Sequence, residues 1–367
     1  MTALPAIPWD YPIVSTMNRP PDLTTLRAEL RLAGVFETRE AANWFKVAVL
    51  VTGLVASLVA VWRFGFYVGL AAIPLAAVFA TALAMFGHEG SHKSFSASPR
   101  RNMLVQYVTF PLMSGLGALY WREKHDRLHH GHPNVENVDP DIRPFPFAST
   151  KAGHEASPKT QQWIQRNLQR YFFWPATTLL ALGMRKSSIV HLFKIHPKKH
   201  GYDAAWWGDF GCQLGHYTLF LVLPIIVFGP LVGLVVYSSL WALVGVFLAL
   251  IFLPAHVGLP IVGDQNHDWL HQVETTRDLE MPKLVSYFFI GLDYQLEHHL
   301  FPKIPHLNLP RAAAITADWC RRHGIQHNSE PYLHALADSA RYMATAWQRE
   351  SQCPIEVRLG LVGRAAA

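Results

Sequence analysis

Residues 210–263, FGCQLGHYTLFLVLPIIVFGPLVGLVVYSSLWALVGVFLALIFLPAHVGLPIVG, contain no Lys, Arg, Asp or Glu. One membrane-spanning helix needs roughly 20 apolar residues, so this stretch is long enough for two. We expect helices over about 217–237 and 240–260, joined by a tight turn near Tyr237–Ser239. The stretch therefore predicts a helical hairpin in a membrane.

A second hairpin is predicted nearer the N-terminus, where two apolar runs give spans over about 44–62 and 66–86. Arg63 lies in the turn between them. Of the 32 Lys and Arg residues, 30 fall before the first span, between the second and third, or after the fourth, and Lys46 lies at the start of the first span. Cytosolic loops are enriched in Lys and Arg, so we expect both termini and the central loop to be cytosolic.

The composition agrees with a membrane protein and excludes several other classes. Half of the 367 residues are hydrophobic and only 16% are charged, which excludes an intrinsically disordered chain. The net charge is +6. The basic residues flank the apolar runs, which indicates contact with lipid headgroups rather than with a nucleic acid. The three cysteines are far apart and form no C-x-x-C pair, so neither a disulfide scaffold nor a cysteine zinc site is expected.

The 20 histidines are clustered rather than scattered. Three clusters follow membrane segments, namely HEGSH at 88–92, HDRLHH at 125–130 and QLEHH at 295–299, and a looser pair is His267 with His271. Residues at i and i+4 share one face of a helix, so each cluster aims at least two imidazoles at one point. Burying adjacent imidazoles is costly unless they have partners, and metal ions supply such partners.

The number of clustered histidines exceeds what one ion of four to six ligands can use, so two ions are expected. The clusters share a site only if the uncharged segment Asn102–Trp121 does not cross the membrane. Imidazole ligands suit several metals and do not name one. Redox activation of O2 is the favoured chemistry, and hydrolysis with Glu89 or Asp126 as the base is the competing one.

The order of the three clusters resembles that of the membrane fatty acid desaturase family. The flanking stretches Trp121–Asp141 and Tyr294–Pro302 are similar to that family as well. The resemblance implies an all-α integral membrane fold with four transmembrane helices as two hairpins and a cytosolic helical cap holding a dimetal site. It implies a diiron enzyme that uses O2 and two electrons to introduce a cis double bond into the acyl chain of an acyl-lipid or acyl-CoA.

The resemblance also assigns roles to particular residues. The metal ligands are expected to be His88, His92, His125, His129, His130, His267, His271, His298 and His299. Because Gln295 replaces a histidine of the family pattern, we hypothesise that His267 compensates for it. Candidates for orienting the ligand rings are Gln295, Asp126, Asp268 and Glu297, with Glu89, Asp139 and Asp141 also beside the clusters. Candidates for the wall of a substrate tunnel are Trp121, Trp269 and Tyr294.

Three regions are expected: an interfacial or cytosolic N-terminal helix in residues 1–40, a desaturase domain in 41–310, and a cytosolic helical cap in 311–367. The chain has no His-Pro-Gly-Gly motif, so electrons are expected from a separate ferredoxin, cytochrome b5 or flavoprotein reductase. One alternative is a membrane lipid hydroxylase or monooxygenase with the same metals. A more distant one is a metal transporter, whose ligands should lie at mid-membrane. In or near the apolar runs only His216 and His256 occur, and neither belongs to a cluster.

Overall fold

The computed structural model describes residues 21–263 and 269–352, and these residues are mostly helical. The α-helices are α1 Leu23–Leu32, α2 Glu40–Arg63, α3 Gly65–His92, α4 Pro99–Tyr107, α5 Ala118–Trp121, α6 Lys151–Glu155, α7 Lys159–Asn167, α8 Gln169–Ala176, α9 Leu180–Val190, α10 His196–His200, α11 Ala204–Tyr217, α12 Leu223–Phe228, α13 Pro230–His256, α14 Trp269–Thr275, α15 Lys283–Phe289, α16 Gln295–Leu300, α17 Leu309–Arg322 and α18 Tyr332–Thr345.

The remaining elements are short. Two parallel strands, β1 Asp278–Glu280 and β2 Ser329–Pro331, pair with each other. The π-helical segments are Val108–Ser114, Arg122–His129, His191–Ile195 and Thr218–Val222, and the 3-10 turns are Pro140–Ile142, Thr177–Leu179, His306–Asn308 and Ala346–Gln348.

Four helices of the described residues are long and apolar enough to cross a membrane, as predicted: Glu40–Arg63, Tyr67–His92, Ala204–Phe228 and Pro230–His256. The predicted turn at Tyr237–Ser239 is wrong, because it falls inside α13. The chain turns at Gly229 instead, which has a φ of +84° that favours glycine. Pro230 then begins α13 at a position where a missing N–H costs nothing.

The uncharged segment after the first histidine cluster folds back sharply. Helical residues Pro99–Ser114 and Ala118–His129 meet at an angle of 111°. The bend begins at Gly115, whose φ is +67° and where a Cβ would lie 2.7 Å from Cδ2 of His216. The bend returns the second histidine cluster to the first, as the prediction for Asn102–Trp121 requires.

The main apolar core lies where α2, α3, α4 and α13 pack together. A second core joins α1 to α14, α16 and α17, and it buries Leu26, Leu30 and Trp319 completely. The Asp22 side chain caps α1 by accepting a hydrogen bond from the Thr24 N–H, 2.9 Å away. The apolar face of α1 is covered by α17 and its neighbours, and an interfacial or cytosolic position of this helix stays a prediction.

Candidate metal centre

Five histidines from three elements converge in one buried group: His88, His92, His125, His130 and His298. His88 and His92 lie at the end of α3. His125 lies in the π-helical segment Arg122–His129, and His130 follows that segment. His298 lies in α16. Nε2 of His125 lies 2.9 Å from Nε2 of His88 and 3.1 Å from Nε2 of His130. Nε2 of His298 lies 3.0 Å from Nε2 of His130. Donor atoms from all three sequence clusters therefore meet at one point.

The second cluster reaches this point through a π-helix rather than an α-helix. The N–H of His130 donates to the carbonyl of His125, five residues earlier, at 2.9 Å. The wider turn brings Nε2 of His130 to 3.1 Å from Nε2 of His125. His129 still stacks on His125, with the ring centroids 5.2 Å apart. The i and i+4 spacing predicts that His125 and His129 share one face, and their donor atoms also lie within 4.8 Å of each other, together with Asp141. Single π-turns are frequent at functional sites.

His129 belongs to a second buried group with His256 and His299. In each ring, Nδ1 faces an acceptor: a carboxylate oxygen of Asp139 at 3.1 Å, the carbonyl oxygen of Thr275 at 3.1 Å, and Oε1 of Gln272 at 3.1 Å, respectively. These contacts leave Nε2 as the free donor atom of each ring. In His256 and His299 that atom is buried without a hydrogen-bond partner among the described residues. Anchoring one ring nitrogen and leaving the other is the usual arrangement of metal-bound histidine.

The eight rings form two buried groups, each of which could hold a metal ion. Two imidazole ligands bound at right angles, each about 2.1 Å from a metal, have their nitrogens about 3 Å apart, and the Nε2 separations of the first group match this value. Burial lowers the pKa of His130, His298 and His299 well below the ordinary value for histidine. These rings are therefore neutral at physiological pH and have a lone pair to offer. The rings of His130 and His299, one from each group, stack with their centroids 4.3 Å apart.

The sequence analysis missed His256, which ends α13. It was set aside because it lies at the end of an apolar run outside the three clusters. Its position in the sequence could have identified it, because it ends the fourth span on the same side as the three histidine clusters. His271 joins neither group, and its Nε2–H donates to the carbonyl oxygen of Pro133 at 2.6 Å. His267 and Asp268 lie outside the described residues.

Of the predicted orienting residues, Asp139 has the clearest role. Its carboxylate is fully buried and accepts backbone hydrogen bonds from Asn134 and Asp141 in addition to its contact with His129. Burial alone would raise the pKa of Asp139, but the adjacent His129 ring and the backbone N–H groups lower it to about 2. The carboxylate is thus held charged against the ring that it orients.

The other orienting candidates have different partners. Asp126 accepts from the Ser91 hydroxyl at 3.0 Å and lies 3.7 Å from Nε2 of His92. Glu297 contacts His327 rather than a clustered histidine. Gln295 is buried at the start of α16, and its amide nitrogen has no partner among the described residues. Glu89 accepts from His306, at 2.9 Å.

Replacing Asp139 should loosen the metal site without dismantling it. We expect Asp139→Asn to weaken metal retention by about 10- to 100-fold, the usual effect of removing such a partner. Iron per chain after dialysis against a graded chelator measures this. The control is Asp318→Asn, since Asp318 only pairs with Arg321 and Arg322 on the surface. Equal iron loss from both variants would contradict the orienting role.

The predicted tunnel residues separate into two places. Trp121 is buried beside the metal centre, where its ring stacks on His125 with the centroids 4.3 Å apart. Trp269 and Tyr294 instead pack against the core formed by α1 and α17. A separate, mainly apolar cavity of about 220 Å³ lies between the spans. Residues on its wall include Leu54, Leu58, Ala80, Tyr237 and Trp241.

The histidine groups lie at the ends of α3 and α13 rather than in the middle of the spans. The ligands of a membrane transporter are expected at mid-membrane, so the position of the histidines at the helix ends does not match a transporter. A group of buried imidazoles in a protein that also has an apolar cavity between its spans suits metal chemistry on an apolar substrate.

Comparison with known proteins agrees with this site. A family model described as fatty acid desaturase matches residues 64–331. The chain is 27% identical to fatty acid desaturase 3 of Bos taurus over 69% of this chain, and 26% identical to fatty acid desaturase 2-like protein FADS2B of Mus musculus over 71%. It is 25% identical to the acyl-lipid (8-3)-desaturase of Rebecca salina over 87% of this chain and 73% of that protein. The matches span 56% of the bovine and 53% of the mouse protein, about half of their lengths.

Proposed function

Because the chain belongs to the fatty acid desaturase family, we propose that it introduces a cis double bond into the acyl chain of an acyl-lipid or acyl-CoA. The observation that carries the proposal is the convergence of eight buried histidines, drawn from the three sequence clusters and from α13, into two adjacent groups. The alternative, a lipid hydroxylase or monooxygenase, shares the metal chemistry and differs in the product.

We propose that two iron ions bind at these groups. His88, His92, His125, His130 and His298 would hold one, and His129, His256 and His299 the other. Bound iron would supply the activation of O2 that removes two hydrogens from the substrate. The lowered pKa of His299 and the anchored Nδ1 atoms of the second group support this assignment. Our assignment leaves out His267, His271 and Asp268, whose roles predicted from the sequence remain to be tested by substitution.

The chain's own contribution is to position the acyl chain and to exclude water. Trp121 places its ring directly against His125 and would contribute to the wall along which the acyl chain approaches. The cavity between the spans can hold the remaining length of an acyl chain. Fixing one carbon against the metal centre is catalysis by positioning. We retain Trp269 and Tyr294 as weaker candidates for the tunnel.

The chain is a membrane protein, because it has four helices that are long and apolar enough to cross a membrane and because it belongs to a family of membrane desaturases. We propose that the termini and the metal centre face the cytosol, because 30 of the 32 Lys and Arg residues fall on that side. The regions 1–40, 41–310 and 311–367 remain our proposed divisions. A separate ferredoxin, cytochrome b5 or flavoprotein reductase would deliver the two electrons.

The direct test is a fatty-acid profile by mass spectrometry, with localisation of double bonds, in a host that expresses the chain and in the host alone. We expect a new unsaturated acid only in the first, and about two irons per chain in the purified protein. A hydroxylated or keto product would assign the alternative chemistry. Absence of both product and bound iron would overturn the diiron proposal, whereas iron without product would indicate that the host lacks the electron donor.

A further inference from the structure

A second kind of ligand cluster lies outside the histidine groups. It is formed by Asp278, Glu297 and His327, whose donor atoms all lie within 4.8 Å of one another. Nε2 of His327 is 3.0 Å from Oε1 of Glu297 and 3.5 Å from Oδ2 of Asp278. We propose that these three side chains bind a third metal ion, a single divalent cation such as Zn²⁺.

The backbone brings the three residues together from distant parts of the sequence. Asp278 begins β1, and its N–H donates to the carbonyl of Asn328 at 2.9 Å, so the pairing with β2 places His327 beside it. The N–H of Leu296 donates to Oδ1 of Asp278 at 3.0 Å, which fixes the start of α16 and thereby Glu297. Hydrogen bonds of the backbone therefore hold the three residues in place, so the cluster does not depend on flexible surface side chains.

The charge of the cluster calls for a cation. Glu297 is fully buried and Asp278 is 4% exposed, and two adjacent buried carboxylates repel each other strongly. In the part of the chain that the structure describes, their ion-pair partner is His327 alone. Arg277 is close in sequence, but its guanidinium pairs with Glu330 and Asp338. A divalent cation held between the three donor atoms would offset the repulsion between the two carboxylates.

A second observation points to a missing ligand. Oε2 of Glu297 is buried and accepts no hydrogen bond from the described residues. Leaving a buried carboxylate oxygen unpaired is unfavourable, and a bound cation satisfies that oxygen directly. One imidazole with two carboxylates is a donor set that Zn²⁺ accepts.

The site would join the third histidine cluster to the segment that follows α17. Glu297 immediately precedes His298 and His299, so a cation at Glu297 would hold α16 against β1 and the loop at His327. Its role would be structural, because the donor atoms belong to none of the histidine groups.

The test is zinc content measured on iron-loaded protein after incubation with Zn²⁺ and gel filtration. We expect one tightly held zinc per chain in the wild type, and at least a tenfold lower content in His327→Asn, by analogy with the loss on removing a metal's partner. His334→Asn is the matched control, because His334 is an exposed histidine whose partner is Glu330. Iron is measured on the same samples and should not change.

Zinc X-ray absorption identifies where the ion sits. A shell of oxygens with one imidazole supports the proposed site, whereas several imidazoles would place the zinc in the histidine groups and overturn the proposal. Asp278→Asn provides a second variant if His327→Asn does not fold. The absence of retained zinc in the wild type would also overturn the proposal, and the two carboxylates would then share a proton instead. Equal zinc content in the wild type and both variants would overturn it as well. Because iron and zinc are counted separately, failure of this site is distinct from failure of the diiron proposal.

Discussion

His256→Ala should abolish desaturation and lower iron from about two to about one per chain. His256 directs Nε2 into the group with His129 and His299, while its Nδ1 is held by the carbonyl oxygen of Thr275 at 3.1 Å. Removing a residue that merely orients a ligand typically costs 10- to 100-fold, so losing the ligand itself should cost at least about 100-fold in product formed. Iron analysis and product quantification on one preparation measure both effects.

The control for this prediction is His271→Ala. That residue was the ligand expected from the sequence, but its Nε2–H donates to the carbonyl oxygen of Pro133 at 2.6 Å. We expect His271→Ala to keep both irons, although it should lower thermal stability by removing a buried hydrogen bond. The opposite pattern, with iron lost from His271→Ala and kept in His256→Ala, would restore the assignment made from the sequence.

The spans and the meeting of the three histidine clusters could be predicted because they depend on patterns within single segments. Charge-free runs of sufficient length identify spans, and the requirement that the clusters meet decided that Asn102–Trp121 turns back. The position of the second hairpin turn could not be read in the same way. An uninterrupted apolar run gives no periodic signal for its break, and the decisive residue is Gly229 with its positive φ.

The distribution of ligands between the two groups could not be predicted, for a different reason. The i and i+4 rule assumes an α-helix, and a π-turn at Arg122–His129 changes which rings face together. His256 has no clustered neighbour, so only the three-dimensional return of α13 to the other clusters identifies it. Likewise, the role of Asp139 as the partner of His129 depends on a turn that brings residues 129 and 139 together.

Filling the cavity between the spans should change which acyl chains are accepted. Ala80 lies on the cavity wall and on α3, eight residues before His88, which is about 12 Å along the helix axis. A phenylalanine at this position would occupy space that we assign to the far part of the acyl chain. Since one methylene too many in an apolar pocket costs about 10- to 200-fold, we expect Ala80→Phe to convert the longest substrates at least tenfold less, relative to shorter ones.

Leu58→Ala enlarges the same cavity from α2 and should shift conversion in the opposite direction, toward longer chains. Val59→Phe is the matched control, because the side chain of Val59 is 51% exposed on the outer face of α2 and adds the same bulk outside the cavity. The measurement is the distribution of product chain lengths from a mixed acyl pool, with iron content verified in each variant. Iron retained together with an unchanged distribution in both Ala80→Phe and Leu58→Ala would show that the acyl chain lies elsewhere. Opposite shifts in the two variants would place the end of the acyl chain between α2, α3 and α13. A defect confined to folding or to the metals would lower conversion of all chains, and it would not shift the product lengths in opposite directions when the cavity is filled and when it is enlarged.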